Sequence, residues 1–191
     1  MPVNLSKGGN VSLTREAPGL EHLLIGMGWD SRITSGESFD LDASAFLLGA
    51  NGRVRTDDDF IFYNNGRSSD GGVVYGGDNL TGAGDGDDET ITVNLKVLSP
   101  DVQKIVIGAS INDAELRRQN FGMVVNSYIR IVDQSAGIEL VRFDLGEDYG
   151  TETALLFGEV YRHNGEWKFR ATGQGFTGGL VAMAKAHGVN V

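Results

Sequence analysis

Short apolar segments separated by glycine-rich turns recur along the whole chain, and they restrict its fold more than any other feature. Ile91, Val93 and Leu95 alternate with polar residues, which is the period of a β-strand with one buried face. Residues 23–30 form a nearly continuous apolar run, typical of a strand in the middle of a sandwich. With 28 Gly and only 3 Pro among 191 residues, tight turns are plentiful. We therefore predict a mainly all-β fold, an antiparallel two-sheet β-sandwich in one domain.

The remaining segments fit this fold. Asn-Gly pairs at 51–52 and 164–165 predict hairpin turns. Short helical turns are expected around residues 99–103, and a short C-terminal helix over 178–187. Residues 64–77 are predicted to be loop. Further strands are predicted at residues 3–13, 39–48, 60–63, 90–98, 104–111, 123–132, 138–145, 157–162 and 167–172. The order of strands and turns suggests two similar four-strand halves, which predicts an internal repeat.

An acidic, glycine-rich stretch at residues 76–89 is the strongest candidate for a functional site. Its oxygen donors are Asp78, Asn79, Thr81, Asp85, Asp87, Asp88 and Glu89. Five carboxylates this close repel one another, and the chain has no Lys or Arg between Arg67 and Lys96 to compensate them. A hard cation with oxygen ligands, above all Ca²⁺, fits this composition. The alternative is an ordinary hairpin tip or linker. The spacing does not match an EF-hand, so the prediction is a calcium site built from loops at the mouth of a β-structure.

Other carboxylates are predicted to join this site because they lie at the ends of neighbouring strands. Asp30 ends one predicted strand, Asp42 lies in the next, and Asp59 precedes the third. Asp40 and Asp57 are expected to be solvent-exposed. The preferred metal ligands are Asp78, Asp85, Asp88 and Glu89, followed by Asp87, Asn79, Asp42, Asp59 and Asp30.

Composition excludes several classes of function. A net charge of -10 makes binding to nucleic acid phosphates unfavourable. The absence of Cys rules out disulfides, zinc–thiolate sites and cysteine nucleophiles. His22, His163 and His187 share no metal-ligand spacing, and no Gly-x-Ser-x-Gly motif is present. We expect no catalytic residues and no membrane span, and a cytoplasmic location.

Several motifs together are similar to one known family. They occur at residues 28–30, 39–46, 59–65, 77–82, 84–89, 121–122, 167–171 and 173–175. On these motifs, which span nearly the whole chain, the sequence resembles the TerD/TerE family of bacterial tellurium-resistance and stress-response proteins.

The resemblance implies a single TerD-like β-sandwich domain over residues 1–191. It also implies two or more Ca²⁺ ions bound in acidic loops at one end of the sandwich. The implied role is resistance to tellurite and chemical stress as part of a stress operon, and no catalytic residues follow from the motifs. We favour a non-enzymatic calcium-binding protein that acts through other proteins of that operon. Those partners could bring the chain to the inner membrane as a peripheral protein. A calcium sensor, a metal-dependent enzyme, and a cAMP-like nucleotide-binding protein that uses the acidic loops remain alternatives.

Overall fold

The computed structural model describes residues 1–31, 39–76, 86–146 and 149–191. Twelve strands were assigned in these ranges, together with three α-helices. In chain order, the strands are β1 (Val3–Asn4), β2 (Asn10–Ser12), β3 (His22–Ser31), β4 (Leu41–Leu48), β5 (Phe60–Ile61), β6 (Val73–Tyr75), β7 (Glu89–Asn94), β8 (Lys104–Ile111), β9 (Val124–Asp133), β10 (Ile138–Asp144), β11 (Ala154–His163) and β12 (Glu166–Phe176). The helices are α1 (Leu13–Glu16), α2 (Ala114–Arg117) and α3 (Gly179–Ala186), and short 3-10 turns lie at Asp57–Asp59 and Phe121–Met123.

Two six-stranded sheets form a β-sandwich, as the sequence predicts. The first sheet has the strand order β1-β10-β9-β3-β7-β6, and the second has the order β2-β12-β11-β8-β4-β5. Strands from both halves of the sequence contribute to both sheets. The internal repeat stays a prediction.

Strand β4 shows how the core is organised. Leu41, Ala43, Ala45 and Leu47 belong to the apolar core between the two sheets. The alternate residue Phe46 belongs to a second apolar cluster on the outer face of the second sheet, together with Met183 of α3. Both faces of β4 are therefore covered, one by the first sheet and the other by the C-terminal helix, which explains why its sequence is apolar almost throughout.

The structure differs from the sequence prediction at two edges. Strand β1 pairs in parallel with β10, so the first sheet is mixed rather than purely antiparallel. The reason is the turn at Gly8, which sends β1 and β2 into different sheets, so that they cannot form a hairpin with each other. Residues Val73–Tyr75, predicted to be loop, form the edge strand β6. None of the described helices is both long and apolar enough to cross a membrane.

Candidate metal centre

The acidic stretch is described from Gly86 onward. Asp78, Asn79 and Asp85, three of the predicted ligands, lie outside the described residues. The next three carboxylates, Asp87, Asp88 and Glu89, lead into β7, and their side chains have different environments.

Asp87 lies against the outer face of the first sheet and is held by an arginine. Arg130 Nε donates to both carboxylate oxygens at 2.8 and 3.1 Å, and Arg130 Nη2 donates to Oδ2 at 2.8 Å. The Tyr128 hydroxyl contacts Asp87 Oδ1 at 3.0 Å. Burial and the neighbouring Asp87 charge raise the pKa of Tyr128 to about 12, so the phenol stays protonated and donates at neutral pH. The Asp87 side chain is 5% exposed and ion-paired.

Asp88 is buried at the end of the sandwich. Its Oδ2 accepts a hydrogen bond from the backbone N–H of Trp29 at 2.8 Å, and its own N–H donates to the carbonyl of Met27 at 2.8 Å. Burial raises the pKa of the Asp88 carboxyl; the Trp29 N–H opposes this shift, and the charges of Asp30 and Asp87 add to it. The ionised form of Asp88 is thus disfavoured unless a cation compensates it.

Glu89 is the most deeply buried carboxylate of the group, with 0% exposure. Its Oε2 accepts a hydrogen bond from the Tyr75 hydroxyl at 2.6 Å. The same oxygen lies 3.4 Å from the backbone N of Ala43, which belongs to the opposite sheet. Because Glu89 begins β7 with its side chain directed between the sheets, it is held at the point where the acidic stretch joins the core.

Asp30 lies beside Asp88 in a small cavity. The cavity has a volume of about 230 Å³ and is lined by Trp29, Asp30, Gly86, Asp88, Asn126, Tyr128 and Arg142. Asn126 Nδ2 donates to Asp30 Oδ2 at 2.8 Å. Asn126 has a left-handed backbone with φ of 54°, close to the point where the pairing of β3 with β9 shifts register between Gly28 and Asp30. The structure thus brings Asp30, Asp88 and the end of the acidic stretch together.

Asp59 is placed elsewhere. Its carboxylate accepts hydrogen bonds from Arg55 Nε at 2.8 Å, Arg55 Nη2 at 2.8 Å and Arg55 N at 2.9 Å. Phe60 pairs with Phe46, so Asp59 lies near the C-terminal end of β4, whereas Glu89 contacts Ala43 near its beginning. Four strand residues separate these levels by roughly 13 Å.

Asp42 and the two expected solvent carboxylates also have defined surroundings. Asp42 is 8% exposed and leaves β4 on the face of Phe46, opposite to that of Ala43. Asp40 is half-buried rather than free in solvent, and its Oδ2 accepts from Asn112 Nδ2 at 3.2 Å. Asp57 is exposed and its Oδ1 accepts from the backbone N of Asn190 at 2.9 Å.

The donor set fits an oxygen-preferring cation, although the described part alone does not complete a site. Across residues 1–31, 39–76, 86–146 and 149–191, no group of three or more His, Cys, Asp or Glu side chains is placed to hold a metal ion. Asp88 and Glu89 offer carboxylate oxygens, which suit Ca²⁺. The predicted ligands Asp78, Asn79 and Asp85 would have to supply the rest.

The chain matches a known protein family over nearly its whole length. The family model described as TerD domain matches residues 1–187. The chain belongs to the TerD domain family. It is 57% identical over 190 residues to the tellurium resistance protein TerD of Serratia marcescens, with 100% of this chain and 99% of that protein covered. It is 50% identical over 192 residues to general stress protein 16U of Bacillus subtilis (strain 168), with 100% of both chains covered.

A solved structure shares the fold of this TerD-domain chain. The crystal structure of a homologue of telluride resistance protein (TerD) from Streptomyces coelicolor A3(2) matches with a TM-score of 0.70 and 26% identity. The match covers 87% of this chain and 96% of that one. The likeness extends over most of the sandwich described above.

Three residues of the TerD-domain site were missed by the sequence analysis: Arg130, Tyr128 and Tyr75. One signal could have revealed the first two. Gly26 and Gly28 alternate on the outer face of β3, and a Cβ at these positions would overlap the Asp87 carboxylate and the Tyr128 ring, respectively. Glycines spaced by two on a central strand indicate that groups from elsewhere in the chain pack closely on the sheet there.

Proposed function

We propose that this TerD-domain chain is a non-enzymatic calcium-binding protein that contributes to tellurium resistance and the stress response. The names of its relatives support the physiological role, because they include tellurium resistance protein TerD and general stress protein 16U. The position of Glu89 is the observation that most directly supports calcium binding. This fully buried carboxylate directly follows the acidic stretch and the buried Asp88.

Electrostatics supports a cation at this point. Burying carboxylates is costly unless charges or hydrogen bonds compensate them. Asp88 and Glu89 are both buried, and Asp30 lines the same cavity as Asp88. Calcium accommodates six to eight oxygen ligands in flexible geometry, whereas Mg²⁺ demands a near-ideal octahedron and tends to keep its water. The larger ion therefore suits a glycine-rich loop. Two or more ions are proposed, as the family resemblance implies.

The non-enzymatic part rests on the distribution of the groups that usually carry chemistry. His22 begins β3, His163 ends β11, and His187 follows α3, so the histidines belong to different parts of the sandwich. Action through other stress-operon proteins is then the proposed mode.

Calorimetric titration with Ca²⁺, repeated in the presence of Mg²⁺, tests the proposal. We expect Ca²⁺ to bind and Mg²⁺ to compete weakly. Binding to the native state alone should raise the free energy of unfolding by about 2.7 kcal/mol when free calcium reaches about 100 times Kd. Glu89→Gln should weaken binding strongly, whereas Asp58→Asn, which changes an exposed carboxylate in the 3-10 turn before β5, should not.

Two results would contradict the proposal. A melting temperature that responds to neither calcium nor chelator would show that the chain has no calcium site. Tight Mg²⁺ binding that excludes Ca²⁺ would favour the metal-dependent enzyme instead. The stress role is tested by survival on tellurite in a host that lacks its own copy of the gene. The wild-type chain should restore growth, and the Glu89→Gln chain should not if calcium is required.

A further inference from the structure

We propose that Arg130, together with Tyr128, is a positioning residue for the calcium site, and that Asp87 is its anchor rather than a metal ligand. In this view the guanidinium fixes residues 86–88 to the outer face of the first sheet. Asp88 and Glu89 are thereby presented to the ion in a set register. The inference rests on the proposed function, since it concerns how the same site is built.

Both oxygens of Asp87 are engaged by the guanidinium. The contacts are Arg130 Nε to Oδ1 and Oδ2, and Arg130 Nη2 to Oδ2, all between 2.8 and 3.1 Å. Arg130 is itself oriented, because its Nη1 donates to Glu139 Oε2 at 3.1 Å. Paired charge-assisted hydrogen bonds of this kind are stronger and more directional than neutral ones. For Asp87 to bind a metal, most of these bonds would have to break.

The sheet beneath this ion pair has two glycines where the side chains above it pack. Gly26 lies under the Asp87 carboxylate and Gly28 lies under the Tyr128 ring, and a Cβ at either position would overlap the group above. Gly26 and Gly28 both belong to β3, the strand that pairs with β7 on one side and β9 on the other. The side chains of Asp87 and of Tyr128 in β9 thus pack directly on the two glycines of β3.

The anchor controls the path of the backbone into the site. The Tyr128 hydroxyl contacts the Gly86 carbonyl at 3.1 Å, and Asp88 N donates to the Met27 carbonyl at 2.8 Å. Residues 86–88 are therefore attached at successive points, and Glu89 then pairs with Met27 as β7 begins. Ligands held in place before binding lose less conformational entropy when the ion arrives.

The two roles open to Asp87 predict opposite effects of removing Arg130. If Asp87 were a ligand, the guanidinium would compete with the ion for its oxygens. Removing a nearby positive charge would then free Asp87 and strengthen the attraction of the site for Ca²⁺. If Asp87 is the anchor, removing Arg130 releases the backbone and weakens calcium binding despite the more negative charge. The sign of the change in affinity decides between them.

The experiment is calorimetric calcium titration of the wild-type chain, Arg130→Gln, Asp87→Asn and the double variant. Groups that orient metal ligands typically contribute about 10–100-fold in metal affinity. We expect each single variant to lose about tenfold or more and the double variant to lose no more than the larger single loss, because both remove one interaction. Arg130→Lys, which keeps the charge without the paired geometry, should fall in between.

A matched control and a direct readout separate positioning from general damage. Arg170→Gln removes an arginine from the second sheet, where it pairs with Glu159, and should leave calcium affinity unchanged. In nitrogen-15 NMR spectra the Arg130 Nε–H should stay protected from exchange after calcium is added. If Asp87 moves to the ion, that protection is lost.

Failure of this inference differs from failure of the proposed function. A wild-type chain that binds no calcium overturns both. If the wild-type chain binds calcium and Arg130→Gln binds it equally or more tightly, only the anchoring role of Asp87 and Arg130 is overturned. Gly26→Ala gives an independent check, since its added methyl group displaces Asp87 without altering any charge. It should weaken binding as Arg130→Gln does, and normal affinity in this variant would contradict the proposal.

Discussion

The hydroxyl of Tyr75 lies 2.6 Å from Oε2 of Glu89, so a side chain from the edge strand β6 supplies a hydrogen bond to the most buried carboxylate of the acidic segment. Tyr75 pairs with Ile91 in the sheet, two residues beyond Glu89 on β7. Strand β6 therefore does more than extend the sheet, because it brings a neutral hydrogen-bond donor to a fully buried carboxylate.

Tyr75→Phe should lower the free energy of unfolding by about 1–3 kcal/mol, because it removes a donor to a buried carboxylate and keeps the ring. Urea denaturation in the presence of chelator measures this loss. Tyr63→Phe is the matched control, since Tyr63 is 53% exposed and its change should stay within about 0.5 kcal/mol. Equal stability of the two variants would show that the hydroxyl does not support Glu89.

Asp59→Asn should destabilise the fold and leave calcium affinity unchanged. Asp59 is 2% exposed and accepts from both the side chain and the backbone of Arg55, so the loss is expected to be about 1–3 kcal/mol. Asp58→Asn, in the same 3-10 turn, is the control for both measurements. A fall in calcium affinity specific to Asp59→Asn would instead support the sequence-based assignment of this residue to the metal site.

Sequence alone predicts the elements whose pattern is local. Strand β8 matches its predicted bounds, because Lys104–Ile111 is a buried run of strand length. The hairpin at 164–165 follows from the Asn-Gly pair, whose residues have φ of 51° and 76°. The short strand β6 was missed, since three residues carry too little pattern and its conformation depends on pairing with β7.

Crowding of carboxylates is visible in the sequence, whereas the partners of each carboxylate are not. Asp87 meets Arg130 from a position 43 residues away along the chain. Asp59 is paired with Arg55, only four residues earlier, yet a run of three aspartates resembles a metal-binding cluster when that pairing is unknown. The contacts made in the fold, rather than composition, decide which charges are compensated within the protein.

Gly108→Ala should weaken the docking of α3. A Cβ on Gly108 would lie 2.8 Å from Met183 Sδ and 2.8 Å from the Leu155 carbonyl oxygen, so the Met183 side chain of α3 would have to move and the β11 backbone would have to shift. Overpacking of this kind costs about 1–3 kcal/mol in the free energy of unfolding, measured by urea denaturation. Gly150→Ala is the control, because its Cβ would meet nothing within 4 Å. Replacing Met183 by Ala in the Gly108→Ala background should recover part of the lost stability. If it does not, the contact with Met183 is not the source of the strain.

The last prediction concerns His187, which lies between α3 and the second sheet. Its ring stacks on Phe46 at 4.7 Å between centroids, and its Nδ1 lies 2.8 Å from the Met183 carbonyl oxygen. Burial lowers the pKa of His187; the Met183 carbonyl opposes the shift, nearby Lys104 adds to it, and Glu159 opposes it. The folded protein therefore binds this proton less readily than the unfolded chain.

The lowered pKa of His187 makes the free energy of unfolding decrease as the pH falls. Above the unfolded-state pKa of about 6.5, His187 is neutral in both states and contributes nothing to the pH dependence of stability. As pH falls below that value the unfolded chain binds the proton first, so the free energy of unfolding decreases until pH reaches the lower pKa of the folded state. His187→Phe keeps a ring on Phe46 and cannot titrate. Urea denaturation between pH 7 and pH 5 should show the wild-type chain losing more stability than the variant. Parallel stability curves for the two chains would show that His187 is not the group responsible.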